Sequence, residues 1–108
     1  MRAGALDRRI TIERVTSTPD EFNAPVEKWI TLATVWASKK DWKHSEMMRA
    51  GGTGSEIITR FQFRYSSTVG DVSPRDRINY GGTIYDIVAV REIGYHEALE
   101  VTASARND

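Results

Sequence analysis

Two consecutive glycines, Gly81-Gly82, separate two runs of alternating apolar side chains in the stretch "RINYGGTIYDIVAV". A two-residue turn that joins antiparallel strands needs φ > 0 at its centre, and glycine supplies that at no steric cost. The stretch is therefore a tight β-hairpin, and the turn sets its register. Tyr80 lies opposite Thr83, Ile78 opposite Tyr85, and Arg77 opposite Asp86, an arrangement of opposite charges that cross-strand pairing favours. Ile78, Tyr80, Tyr85 and Ile87 share one face of the hairpin, and Ile84, Val88 and Val90 the other. A strand apolar on both faces is expected to be central, or covered outside by a helix, a loop or another subunit.

The same period of two recurs along the chain. In "RITIERV" (9–15), Ile10 and Ile12 share a face with Arg14. "TSTPDEFNAP" is rich in turn formers and reads as a loop that Pro19 and Pro25 restrict but leave mobile. The β-branched and aromatic content of "VEKWITLATVWASKKDW" predicts a long strand over 27–39, bent near Leu32-Ala33, rather than a helix. In "EIITRFQFRYSS", Ile57, Thr59, Phe61, Phe63 and Tyr65 point one way. "ALEVTAS" is a last strand with Leu99, Val101 and Ala103 inward. Residues 39–56 break the pattern. Asp41 or Ser45 can cap a short helix there, Gly51 can stop it, and "GGTGS" reads as flexible. The expected fold is all-β: one domain over 1–108, a small antiparallel barrel or sandwich of about six strands, with a long 39–56 loop carrying one short helix.

Composition narrows the function classes. Fifteen Lys and Arg balance fifteen Asp and Glu, so no whole-molecule field favours nucleic acid or an acidic membrane. The absence of cysteine excludes disulfides and thiolate metal sites. His44 and His96 lack a metal-site spacing, and no run approaches the ~20 apolar residues of a membrane-spanning helix. "MRAGALDRR" lacks the apolar core of a signal peptide, so a cytosolic site of synthesis is expected. No placed nucleophile motif occurs, and "GGTG" lacks the lysine of a phosphate loop. No catalytic residue, metal or cofactor is assigned. His96 is expected to be a surface turn residue, and Glu97 and Glu100 to be solvated.

The 39–56 segment is the candidate contact region. Between Lys39 and Arg49, the basic Lys39, Lys40, Lys43 and Arg49, with His44, are opposed by Asp41 and Glu46, leaving a local excess of two positive charges among which Trp42, Met47 and Met48 are interleaved. One reading is a solvated loop that covers an end of the barrel. The other is a loop facing a partner, either protein through Trp42 and the methionines or the DNA backbone through the lysines. Two excess charges bind DNA feebly in one copy and far better when repeated around a ring.

Five blocks in order, "RITI" (9–12), "APVEKW" (24–29), "ATVWA" (33–37), "FQFRY" (61–65) and "RINYGGTIYDI" (77–87), resemble the phage head–tail joining (head–tail adaptor, head completion) family over nearly the whole chain. The resemblance implies a small β-barrel with a loop bearing a helix. It also implies self-assembly into a ring, usually dodecameric, beneath the portal of a tailed phage. There the ring would close the filled head, dock the tail and, through residues 39–56, help retain double-stranded DNA. The implied partners are copies of itself, portal or adaptor protein and tail proteins. The implied location is the virion neck, after assembly in the host cytoplasm. A tail terminator or minor tail protein, and a generic small-barrel module that binds peptide or nucleic acid, are the competing readings.

Overall fold

The alternating runs become six strands in a computed structural model that describes residues 3–42 and 58–106. They are β1 (Arg8–Pro19), β2 (Pro25–Trp42), β3 (Ile58–Arg64), β4 (Arg77–Tyr80), β5 (Thr83–Ile93) and β6 (Ala98–Ala105), preceded by a single 3₁₀ turn at Ala3–Ala5. They close into a barrel in the order β1-β2-β3-β6-β5-β4, and β4 returns to β1 through Thr11–Asn79, Ile12–Ile78 and Glu13–Arg77. Every pairing is antiparallel.

The inward-facing residues of each strand meet in one core. Ile10, Ile12, Phe61, Phe63, Ile78 and Val101 have no exposed surface, and the Phe61 ring packs edge-on against Tyr85 at 5.2 Å. Leu99, Val101 and Ala103 all point inward, as their spacing requires. A barrel of six strands is narrower than the eight-strand barrels whose interior side chains just fill, so its lumen is a packed core and not a pore. The 65–76 connection closes one end. Val69 and Val72 dip into the core, and local backbone bonds such as Val72 N–H to Val69 C=O at 3.1 Å hold the loop in shape.

Arg14 explains itself at that same end. It shares the inward face with Ile10 and Ile12 but emerges where β1 leaves the barrel. Its guanidinium donates to both carboxylate oxygens of Asp76, at 3.0 and 3.1 Å, and to Asp71 at 3.1 Å. The Asp76 side chain is fully buried and also accepts the Ser73 backbone N–H at 3.1 Å.

The hairpin adopts the register its turn demands, with Tyr80 opposite Thr83, Ile78 opposite Tyr85 and Arg77 opposite Asp86. Gly81 and Gly82 have φ of 60° and 87°, and a Cβ on either would meet nothing within 4 Å. The cost of a side chain there is thus backbone strain alone. Gly82→Val is expected to lose about 1–2 kcal/mol in urea unfolding, and an unchanged midpoint would contradict the left-handed turn. The facing charges do not pair, however. Arg77 reaches across to Glu13 on β1 at 2.6 Å, and Asp86 takes Arg106 at 2.8 Å.

Two bulges redirect the strands. β2 carries one extra residue, Leu32, between the Ile12–Ala33 and Glu13–Thr31 pairs, which is where a bend was expected. β5 carries another at Val88, between Ile87–Ala103 and Ala89–Thr102. An extra residue reverses the alternation beyond it, so Val90 turns inward and packs against the core. The expected outer-face trio is therefore Ile84 and Val88 only, with Val88 56% exposed.

Other expectations change too. Strand β2 runs on to Trp42 and pairs Lys39 with Phe61, Lys40 with Arg60 and Asp41 with Thr59. The 39–56 loop therefore does not begin at Lys39, and Asp41 is a strand residue and not a helix cap. The rest of that loop, with its expected helix and flexible "GGTGS", lies outside the described residues. The expected 16–25 loop shrinks to a turn at 20–24, because β1 and β2 stay paired as far as Pro19–Pro25. That turn is hydrogen-bonded: Asp20 Oδ1 accepts the N–H groups of Phe22 at 2.8 Å and Ala24 at 2.9 Å, and Asn23 takes φ 61°. Glu100, expected in solvent, is buried; it accepts from Gln62 at 2.8 Å and pairs with Arg91 at 3.1 Å. His96 is a turn residue with φ 56°, but its ring lies between those of Tyr65 and Tyr95, each at 4.2 Å.

Candidate functional site

Three surfaces stand out, and the register of β1 and β2 positions all of them. The first is the barrel end from which residues 43–57 leave, bounded by the Trp42–Ile58 pair. Lys39 and Asp41 follow Ala37 on the inward face here. The Lys39 ammonium donates to both Asp41 oxygens, at 2.9 and 3.0 Å, and the Thr59 hydroxyl donates to Asp41 at 2.8 Å. Burial pushes the Asp41 carboxyl up, but the hydrogen bonds from Lys39 and Thr59 outweigh it and hold the group below the ordinary carboxylate range. Arg8, also on the inward face, donates to the Tyr80 hydroxyl at 3.1 Å. This end is thus closed by polar groups that satisfy one another.

The expected contact residues separate here. Lys39 is only 19% exposed and is committed to Asp41, while Lys40 points outward and is exposed. Trp42 ends β2, and Lys43, His44, Met47, Met48 and Arg49 lie outside the described residues. Gly81 and Gly82 sit at the tip of the β4–β5 hairpin as structural turn residues.

The second surface is a projecting ribbon. β1 pairs β4 only over 11–13, and β2 pairs β3 only over 37–42. Beyond Glu13, β1 and β2 pair only with each other. At the base, Arg77 lies over the Trp29 ring at 4.1 Å. Along the arm Ile30, Val26 and, at the tip, Phe22 are exposed, Phe22 to 81%. A lone two-stranded ribbon is marginal in water. This one exposes apolar side chains along its length and carries a hydrogen-bonded tip.

The third surface is a cleft of about 620 Å³ where β2 diverges from β3, lined by Leu6, Arg9, Val35, Trp36, Arg64 and Tyr65. Arg9 lies over the Trp36 ring at 5.1 Å, and Trp36 is 52% exposed. Two cations rim an apolar floor. Sequence reasoning missed this cleft because Arg9 and Arg64 belong to strands far apart in the chain, and only barrel closure sets them together. Among the described residues no group of three His, Asp or Glu side chains could hold a metal ion.

Comparison with known proteins places this geometry. The solution structure of protein SF1141 from Shigella flexneri 2a superposes with TM-score 0.77 at 24% identity, over 97% of this chain and 96% of its own. A chain in the virion of a native gene transfer agent particle superposes with TM-score 0.63 at 20% identity, over 92% and 93%. At these identities both likenesses speak to the fold. No curated protein matches. A family model described as phage head completion protein matches residues 1–106. With that match spanning nearly every residue, the chain belongs to the phage head completion proteins, structural components of the virion.

Proposed function

We propose that the protein is the head completion, or stopper, subunit of a tailed phage or prophage. Copies form a dodecameric ring in the neck, between the portal or adaptor and the tail, close the DNA exit and offer the tail its docking surface. The observation that carries this reading is the family match over residues 1–106. The packed lumen bears on the mechanism. DNA cannot pass through a barrel whose core is filled by Phe61, Phe63 and Ile78, so the channel runs between subunits and is lined by what they project into it. Residues 43–57 follow the barrel end beside Lys40, and Lys40, Lys43 and Arg49, repeated around a ring, supply the many phosphate contacts that one copy lacks.

The test removes charge without touching the fold. Lys39 must be spared, since its loss would strand Asp41. Lys40→Glu with Lys43→Glu should leave the melting temperature unchanged and lower the yield of DNA-filled heads about tenfold, counted by electron microscopy, because phosphate contacts are lost at every subunit. Normal numbers of filled heads would remove the channel role. Deleting the gene should leave heads without tails, and complete tailed particles in its absence would remove the head completion role.

A further inference from the structure

We propose that the ribbon tip of one copy, with Glu21 and Phe22, docks into the Arg9–Arg64 cleft of the next copy, and that this head-to-tail contact makes the ring. The inference rests on the ring-forming role proposed above. The two surfaces are complementary in charge and in apolar character. The tip presents an aromatic ring, Phe22, at 81% exposure beside a carboxylate, Glu21, that has no ion pair among the described residues. The cleft presents an apolar floor of Leu6, Val35, Trp36 and Tyr65 under Arg9 and Arg64, neither of which has an ion pair among the described residues. No carboxylate lines it; the neighbouring Asp7 is turned to Arg8 at 3.7 Å. Phe22 on Trp36 with Glu21 between two guanidinium groups is the aromatic-plus-arginine chemistry that dominates protein interfaces.

The tip is preorganised for this. Asp20 Oδ1 holds two backbone N–H groups, so Phe22 and Glu21 are displayed from a fixed turn and little ordering entropy is lost on docking. It cannot fill its own cleft. β1 and β2 pair from Arg8–Ala37 to Pro19–Pro25 without a break in the ladder beyond the Leu32 bulge. The ten residues from Arg9 to Pro19 hold tip and cleft roughly 33 Å apart at ~3.3 Å per residue. A protruding feature and its receptor at opposite ends of one rigid element make a heterologous contact, the kind that closes into a ring when the rotation between successive copies allows it. The five-residue tip covers less than the ~1,200–2,000 Å² of a stand-alone interface, so each contact is weak alone and holds in the closed ring.

The chain has no cysteine, so paired cysteines can report the contact directly. A gene-deleted phage is complemented with the Glu21→Cys, Arg64→Cys double variant, and purified particles are oxidised mildly and run on a denaturing gel. The expected result is a ladder of cross-linked species beyond the dimer, with neither single variant passing the monomer. The control pairs Glu21→Cys with Val88→Cys on the far outer face, and should give no ladder. Particles that contain the protein but show no Glu21–Arg64 ladder, or an equal ladder in the control, would overturn the proposal while leaving the head completion role intact. Wild-type particles that lack the protein would overturn that role instead; where that is so, or where the double variant alone stays out of the particles, the contact is read by oxidising the purified double variant at millimolar concentration, where monomer alone would overturn it.

Discussion

Phe61→Ala should remove about 3–5 kcal/mol of folding stability, the range expected when a wholly buried phenylalanine is truncated. Phe61 has no exposed surface and sits at the centre of the barrel, with Tyr85 at 5.2 Å and Tyr80 at 6.5 Å. Those partners come from β5 and β4 and cannot collapse into the space, because each is held by its own ladder of backbone hydrogen bonds. A domain of this size has about 5–15 kcal/mol in total, so the variant should be partly unfolded near 37 °C. Urea unfolding followed by circular dichroism measures the loss. Val88→Ala is the matched control: Val88 is 56% exposed on the Val88 bulge and its truncation should change stability by less than about 0.5 kcal/mol. A loss below about 1 kcal/mol for Phe61→Ala would mean that the interior is not packed on this ring.

Arg14→Met should cost about 3 kcal/mol, for a different reason. The Asp76 side chain is fully buried, and Arg14 is the cation that holds it, at 3.0 Å. Without it a buried carboxylate keeps only the Ser73 N–H, and breaking a buried pair from one side costs about 3–5 kcal/mol. The guanidinium is 24% exposed, which favours the lower end. The loss should lower the melting temperature by about 10–20 °C. Adding Asp76→Asn to Arg14→Met should recover part of it, because no charge is then stranded. Full additivity of the two substitutions would show that they are not coupled. Acid gives the same sign. Arg14 holds the exposed Asp71 carboxyl below its ordinary range, so its contribution is present above the usual carboxylate pKa of about 4 and fades as pH falls through the depressed value. Arg14→Met should flatten that acid limb.

These two residues show what could be read from the chain alone. Phe61 was legible: "FQFRY" alternates, and a strand with one buried face puts Phe61 and Phe63 inside whatever their partners are. Arg14 was half legible. Its place on the face of Ile10 and Ile12 could be seen, but its partners lie 57 and 62 positions away in a loop whose valines gave no sign of plugging a barrel. The register of the Gly81-Gly82 hairpin was also legible, because a two-residue turn leaves one choice. The Arg77–Asp86 ion pair was not. Arg77 had a second neighbour, Glu13, that only closure of β4 on β1 supplied. Val90 failed for a related reason, since a single bulged residue reverses every position beyond it.

The candidate contact region divides along the same line. Counting charges in 39–49 located a basic segment, but it could not separate Lys39, committed to Asp41, from Lys40, facing out; strand pairing to Trp42 did that. The ribbon and the cleft left no sequence signal, since both exist only where strands stop pairing with one partner while continuing with the other. By itself the sequence determined the strands, their inward faces and one hairpin register, because those follow from a period of two and a local turn. The order of six strands, the plugged end, the projecting arm and the arginine-rimmed cleft were decided by the tertiary structure, because pairing between distant segments is chosen by which closure buries the whole core at once.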